Sequence, residues 1–134
     1  MADDPDDGAA RYVFSVVVRL EPEGPDLRLD PATFETTLSR EAAPPGEEGW
    51  RFFRDNCWRG ELNHPEHVRE LLAADLGVAV DSVGFRELRT TRGHYEALRA
   101  AIAEDLDAFN ADDVDEVLKK YLGSSIHVVE PGDL

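Results

Sequence analysis

Any chemistry in this chain would centre on one short passage, Arg54-Asp55-Asn56-Cys57-Trp58-Arg59-Gly60-Glu61. Arg59 beside Trp58 can present a flat guanidinium and an indole to a planar or anionic ligand. Asp55 and Glu61 can orient Arg54 and Arg59, or act as acid and base where a pocket shifts their pKa values. A plainer reading competes with this one. Trp50, Phe52 and Trp58 would be core anchors, and Arg54 and Arg59 would tie the stretch to the next helix by ion pairs. Arg54, Asp55, Asn56, Trp58, Arg59 and Glu61 therefore form the candidate ligand or partner surface, and no residue is assigned a catalytic role.

Three other groups fall short of a chemical role. Cys57 as a nucleophile needs a base and an orienting group, and His64 lies at no spacing that supports a Cys–His pair. A buried, inert thiol fits better. His64 and His67 stand at i, i+3 and can share a metal only with a third ligand, which the sequence does not supply; no metal or cofactor is expected. Lys119 and Lys120 are the only lysines, and they precede Gly123-Ser124-Ser125, a turn rich in hydrogen-bond donors. That order is the reverse of a phosphate loop, and a helix C-terminus opposes an anion. Helix-end chemistry accounts for these residues.

The composition sets the background. A chain of 134 residues with 42% hydrophobic residues is one domain with a real core. Against 29 Asp and Glu it carries 14 Lys and Arg, a net charge of -15. An acidic, arginine-dominated surface over a normal core points to a protein made for high salt, where a Debye length of about 3 Å at 1 M screens self-repulsion. The acidic start MADDPDDGAAR resembles no signal or transit peptide, and no apolar run reaches membrane-spanning length. A cytoplasmic location is expected, with no membrane contact. No basic stripe or aromatic RNA-binding motif appears, which argues against nucleic acid. One cysteine excludes an internal disulfide.

The elements that must position the candidate surface follow in order. Residues 1–10 read as a disordered acidic lead-in, 11–130 as a single domain, and 131–134 as a frayed tail. Tyr12 to Leu20 is a central strand, with Phe14, Val16, Val18 and Leu20 on one face. Glu21 to Pro31 is a loop, and Thr33 to Arg40 a half-buried strand. Trp50 to Arg54 reads as a third strand in a hairpin with the second. Asn63 caps a helix carrying Val68, Leu71, Leu72 and Leu76, which Gly77 ends. Ser82 to Leu88 is a fourth strand with Val83 and Phe85 inward. One helix runs from His94 to Phe109. Another runs from Ala111 to Leu122, capped by Asn110 and stopped by Gly123. Ile126 to Val129 closes the sheet. The fold class is α+β, a mostly antiparallel sheet with helices packed on one face, in the order β-β-β-α-β-α-α-β.

The segments FFRDNCWRGELN, FRELRT and FNADDVDEVLKKYLGSSIHVV resemble the haloarchaeal proteins called LWR-salt, a name that refers to a Leu-Trp-Arg motif and to saline hosts. The resemblance covers nearly the whole chain after the lead-in. Here the motif reads Cys57-Trp58-Arg59, and cysteine in place of leucine favours a packed, apolar position. The resemblance implies a halophilic archaeal origin and carries over no catalytic or binding residues. The reading that results is a non-catalytic binding or protein-interaction module, with a protein partner or a second copy on its aromatic stretch. The alternative is an enzyme or sensor for a small anionic metabolite held by Arg54 and Arg59.

The charge argument has a direct consequence for stability. The melting temperature should rise steadily from about 0.1 M to about 2 M KCl as self-repulsion is screened. A flat salt profile in differential scanning calorimetry would remove the high-salt reading.

Overall fold

The computed structural model describes residues 9–134. The first eight residues of the expected lead-in lie outside it, and Ala10, its last, already belongs to the sheet. Ala10 is the first residue of β1 (Ala10–Arg19) and is buried. The Ala9 carbonyl accepts from both the backbone N–H and the hydroxyl of Thr91.

In β1 the alternation does what the sequence asks of it. Tyr12, Phe14, Val16 and Val18 are buried on one face, while Ser15 and Arg19 reach solvent on the other. Leu20 lies past the strand end and is exposed. β2 (Thr33–Glu41) pairs antiparallel with β1, from Arg11 opposite Glu41 to Arg19 opposite Thr33. As an edge strand it is mostly wet: Leu38 packs on the core, but Phe34 is 48% exposed.

The stretch Trp50 to Arg54 is not a strand. Trp50 and Arg51 lie in a turn, and Phe52–Asn56 forms the short helix α1. The reason is that Phe52 and Phe53, adjacent in sequence, both pack inward. Phe52 lies 4.6 Å from the Tyr12 ring, and Phe53 stacks on Phe109 at 5.6 Å and 10°. Successive strand residues point to opposite faces, whereas successive helix residues differ by about 100° and can share a core. The expected hairpin with the second strand is therefore absent. In its place β3 (Cys57–Trp58) and β4 (Glu61–Leu62) make a small separate hairpin.

α2 (Pro65–Leu76) buries Val68 and Leu72 and ends, as expected, at a left-handed Gly77. Its N-cap position is His64 rather than Asn63, and no side chain caps it. Asn63 instead donates its backbone N–H to the Asn56 carbonyl. β5 (Ala79–Thr90) is longer than its apolar centre implied and lies antiparallel beside β1. Its inward residues Val80, Val83, Phe85 and Leu88 are spaced three, two and three apart, which no regular strand can place on one face. Two bulges absorb the extra residues, so these four oppose Val18, Val16, Phe14 and Tyr12.

The helix expected over 94–109 is two pieces. α3 (Arg92–Ala103) is capped by Thr91, whose hydroxyl accepts from His94 N. After a turn at Glu104 and Asp105, Leu106–Phe109 forms a 3-10 turn. Asp105 is held there by an ion pair with Arg51, and the break brings Phe109 onto Phe53. α4 (Val114–Leu122) starts at Asp113, whose carboxylate accepts from Glu116 N at 2.8 Å, not at Asn110. Asn110 is instead the left-handed residue that ends the 3-10 turn. β6 (Ile126–Val128) runs parallel to β5, and Pro131–Asp133 closes a last 3-10 turn. The sheet order is β2-β1-β5-β6, antiparallel but for the last pair, and the helices pack on the Phe14 face.

α4 is joined to the β3–β4 hairpin by its own backbone. Arg59 N donates to Lys120 O at 2.8 Å and Gly60 N to Tyr121 O at 3.0 Å. Gly123 N satisfies Lys119 O, and Ser125 N satisfies Leu122 O. Every one of the helix's last four carbonyls, which no helical partner can reach, is thereby bonded. The chains approach so closely that a Cβ on Gly60 would stand 3.1 Å from Leu122 O, and one on Gly123 would stand 3.1 Å from Arg59 O. Both glycines also hold positive φ, +85° and +61°. Gly60→Ala and Gly123→Ala should each destabilise by about 1–3 kcal/mol in urea unfolding, and the pair should be non-additive because each presses on the other's chain. Wild-type stability in both would contradict the junction.

Candidate functional site

The candidate residues divide between two faces of this junction. Arg54 donates to the Asp55 carboxylate at 2.9 and 3.0 Å and to Ala108 O at 3.3 Å. Those two side chains line a groove of about 310 Å³ with Trp50 and Arg51. Asn56 is structural: it is 7% exposed and donates from Nδ2 to Phe52 O at 3.1 Å, closing α1. Glu61 is exposed on β4, directly across the hairpin from Trp58.

Trp58 and Arg59 line a different and larger groove, of about 520 Å³. Its other walls are Glu116, Lys119, Lys120 and Gly123. The two lysines, sixty residues away in sequence, thus meet the Trp-Arg pair. No local signal could have shown this, because the meeting depends on the turn of a hairpin docking on the end of a helix.

Each groove residue has an identifiable support. Trp58 is the solvent end of a run of aromatic edges: it meets Tyr121 at 5.9 Å and 83°, Tyr121 meets Phe53 and Phe109 at 6.1 Å each, and Trp50 meets Phe109 at 5.8 Å. Packed against Tyr121 yet 46% exposed as a residue, Trp58 is held in place without being covered. Arg59 stands at φ +54° followed by Gly60 at +85°, the signs demanded at the two central residues of a type I′ hairpin turn. Asn, Asp or Gly is the usual residue in the first of these, and a side chain such as arginine costs about 1–2 kcal/mol there. The guanidinium lies 5.8 Å from the Trp58 ring centre. Lys120 is tethered, donating from Nζ to Phe109 O at 3.0 Å and Asn110 O at 2.9 Å. Its charge thus sits on the 3-10 turn's carbonyls rather than on its own helix end. Arg59 and Lys119 make no ion pair with any described residue; Arg19, Arg40, Arg51, Arg54, Arg89 and Arg99 do, while Arg11, Arg28, Arg69, Arg86 and Arg92, like Arg59, do not.

Cys57 precedes the pair and is fully buried. Burial pushes its thiol up to about 12. His64 and His67 are exposed at the start of α2, His94 is buried in α3, and His127 faces Glu87 at 3.7 Å. Among the described residues no three His, Cys, Asp or Glu side chains are grouped to hold a metal, and no helix is long and apolar enough to cross a membrane.

Fold and site together define a small α+β domain with a cation-rimmed aromatic groove where a hairpin caps a helix. The chain belongs to the LWR-salt protein family, whose model matches residues 8–132. No curated protein and no solved structure matches it.

The buried thiol yields a pH prediction. Its ordinary value is 9.0, so between pH 9 and about 12 the unfolded chain releases a proton that the folded chain keeps. Burial shifts Tyr12 in the same direction. The native state then binds more protons, and stability falls as pH rises through that window, by up to about 1.4 kcal/mol per unit from Cys57 alone. Native protein should not react with a thiol reagent at about pH 8, and Cys57→Val should flatten part of the alkaline decline in urea midpoint. Prompt labelling of the folded protein would contradict the packed assignment.

Proposed function

We propose that this protein is a non-catalytic binding module of a high-salt archaeal cytoplasm, and that its contact surface is the groove of Trp58, Arg59 and Lys119. One observation carries the reading. In a chain with 29 acidic and 14 basic residues, both lysines and Arg59 border a single groove beside a half-exposed indole. The turn itself gives no reason for arginine at position 59, since the bond to Lys120 O comes from backbone and glycine or asparagine would suit φ +54° better. Strained residues held against such a cost cluster at binding surfaces. Arg54 and Asp55 line the other groove, so proton transfer from Asp55 to an anion on Arg59 has no shared pocket to support it.

The decisive variant is Arg59→Asn, which removes the guanidinium while keeping a residue that tolerates the left-handed turn. It should melt within about 1 kcal/mol of wild type. Immobilised wild type should retain a partner from lysate in molar KCl that immobilised Arg59→Asn does not. A thermal-shift panel of nucleotides, phosphorylated metabolites and amino acids should be flat. A large loss of stability in Arg59→Asn would make the residue structural. A panel compound that stabilises wild type but not the variant would replace the module with a sensor of small anions.

A further inference from the structure

We infer that the occupant of this groove is an extended acidic segment of another protein, with an aromatic or aliphatic side chain set between its carboxylates. The inference rests on the binding reading above and assigns its partner's chemistry. Charge complementarity argues for it first. The net charge of -15 disfavours an anionic chain over the molecule as a whole, whereas Arg59, Lys119 and Lys120 bring three cations against one carboxylate, Glu116, to a single groove. Arg59 offers a planar fork that can hold a carboxylate through two bonds, and Lys119 offers a point charge beside it. Lys120 adds field but has already committed donors to Phe109 O and Asn110 O.

The groove's shape argues for a chain rather than a compact ligand. The half-exposed Trp58 lines it, and Gly123 contributes no side chain to close it. Trp58 is 46% exposed, so an apolar side chain laid on the indole finds surface still open to cover. A segment lying across the indole would bury one apolar side chain there and leave its backbone in water. Glu116, which also lines the groove and accepts from Asp112 N, disfavours a carboxylate beside itself and so favours one at Arg59 and Lys119. In molar salt the long-range attraction is screened, and direct hydrogen bonds with apolar burial hold the contact.

The test is a 15N-resolved NMR titration of the full chain with acetyl-Asp-Glu-Phe-Glu-Asp-amide, in dilute and in molar KCl. Controls replace every acidic residue of the peptide with lysine, or its phenylalanine with alanine, and add benzoate and inorganic phosphate alone. Shifts should centre on the Trp58 indole N–H, Arg59, Lys119 and Gly123. Both altered peptides should bind more weakly, and Arg59→Asn or Lys119→Glu should weaken the acidic peptide at least about tenfold. No binding, equal binding of the basic peptide, or shifts elsewhere would overturn the inference. Equal response to benzoate or phosphate would overturn it in favour of a small anion. If a lysate partner still depends on Arg59 while the acidic peptide fails, the groove stands and the acidic segment falls. If that partner is indifferent to Arg59→Asn, the binding reading itself falls.

Discussion

The end of α4 cannot satisfy its own last carbonyls, and the molecule resolves this with the turn of a hairpin. Arg59 N and Gly60 N reach Lys120 O and Tyr121 O, and glycines on both sides allow the approach. Leaving such groups buried and unpaired costs about 1–3 kcal/mol each, enough to constrain where the hairpin can sit. Once it sits there, Trp58 is delivered to Tyr121, Cys57 to the core, and the Arg59 side chain to the solvent rim beside Lys119. The groove is a by-product of capping a helix with another part of the chain.

The same constraint separates what was legible in the sequence from what was not. α2, its Gly77 end, the Gly123 stop and the inward face of β1 rest on neighbours within a few residues, and periodicity reveals them. Trp50 to Arg54 reads as a strand because aromatic residues favour strands by type, yet Phe52–Asn56 is helical. Its real determinants are Tyr12 on one side and Phe109 on the other, forty and more residues away. The break after Ala103 was invisible for a related reason: a 3-10 turn keeps residues three apart on one side, so Leu106 and Phe109 continue an apolar stripe through an interruption. In β5 the three-two-three spacing concealed strand ends that two bulges restore.

For the site, the residue types were legible and their grouping was not. Trp58 and Arg59 stood out by composition, but Arg54, Asp55 and Asn56 beside them turned out to serve α1 and a second groove. Lys119 and Lys120 were explained away by helix-end electrostatics, which describes the charge of the helix terminus but not what docks against it. Here the docking element covers the carbonyls with backbone N–H groups, so the lysines are released from that duty. Lys120 turns to Phe109 O and Asn110 O, and Lys119 faces the groove.

Surface ion pairs do not explain how so acidic a chain stays folded. Arg19–Asp81, Arg40–Asp75 and Arg99–Asp115 are solvent-exposed and contribute little on their own, less still when salt is high. The apolar cluster of Phe14, Phe53, Leu72, Ile102, Phe109 and Leu122 carries the fold. Of the cations bordering the groove, Lys120 is tied to the fold through Phe109 O and Asn110 O, whereas Lys119 is in no ion pair with a described residue. Six arginines, Arg19, Arg40, Arg51, Arg54, Arg89 and Arg99, are drawn into ion pairs, whereas Arg59 and Lys119 are in none with a described residue. Their turn and helix positions instead leave them beside the half-exposed Trp58 indole, so the hairpin that caps α4 also fixes where its cations stand.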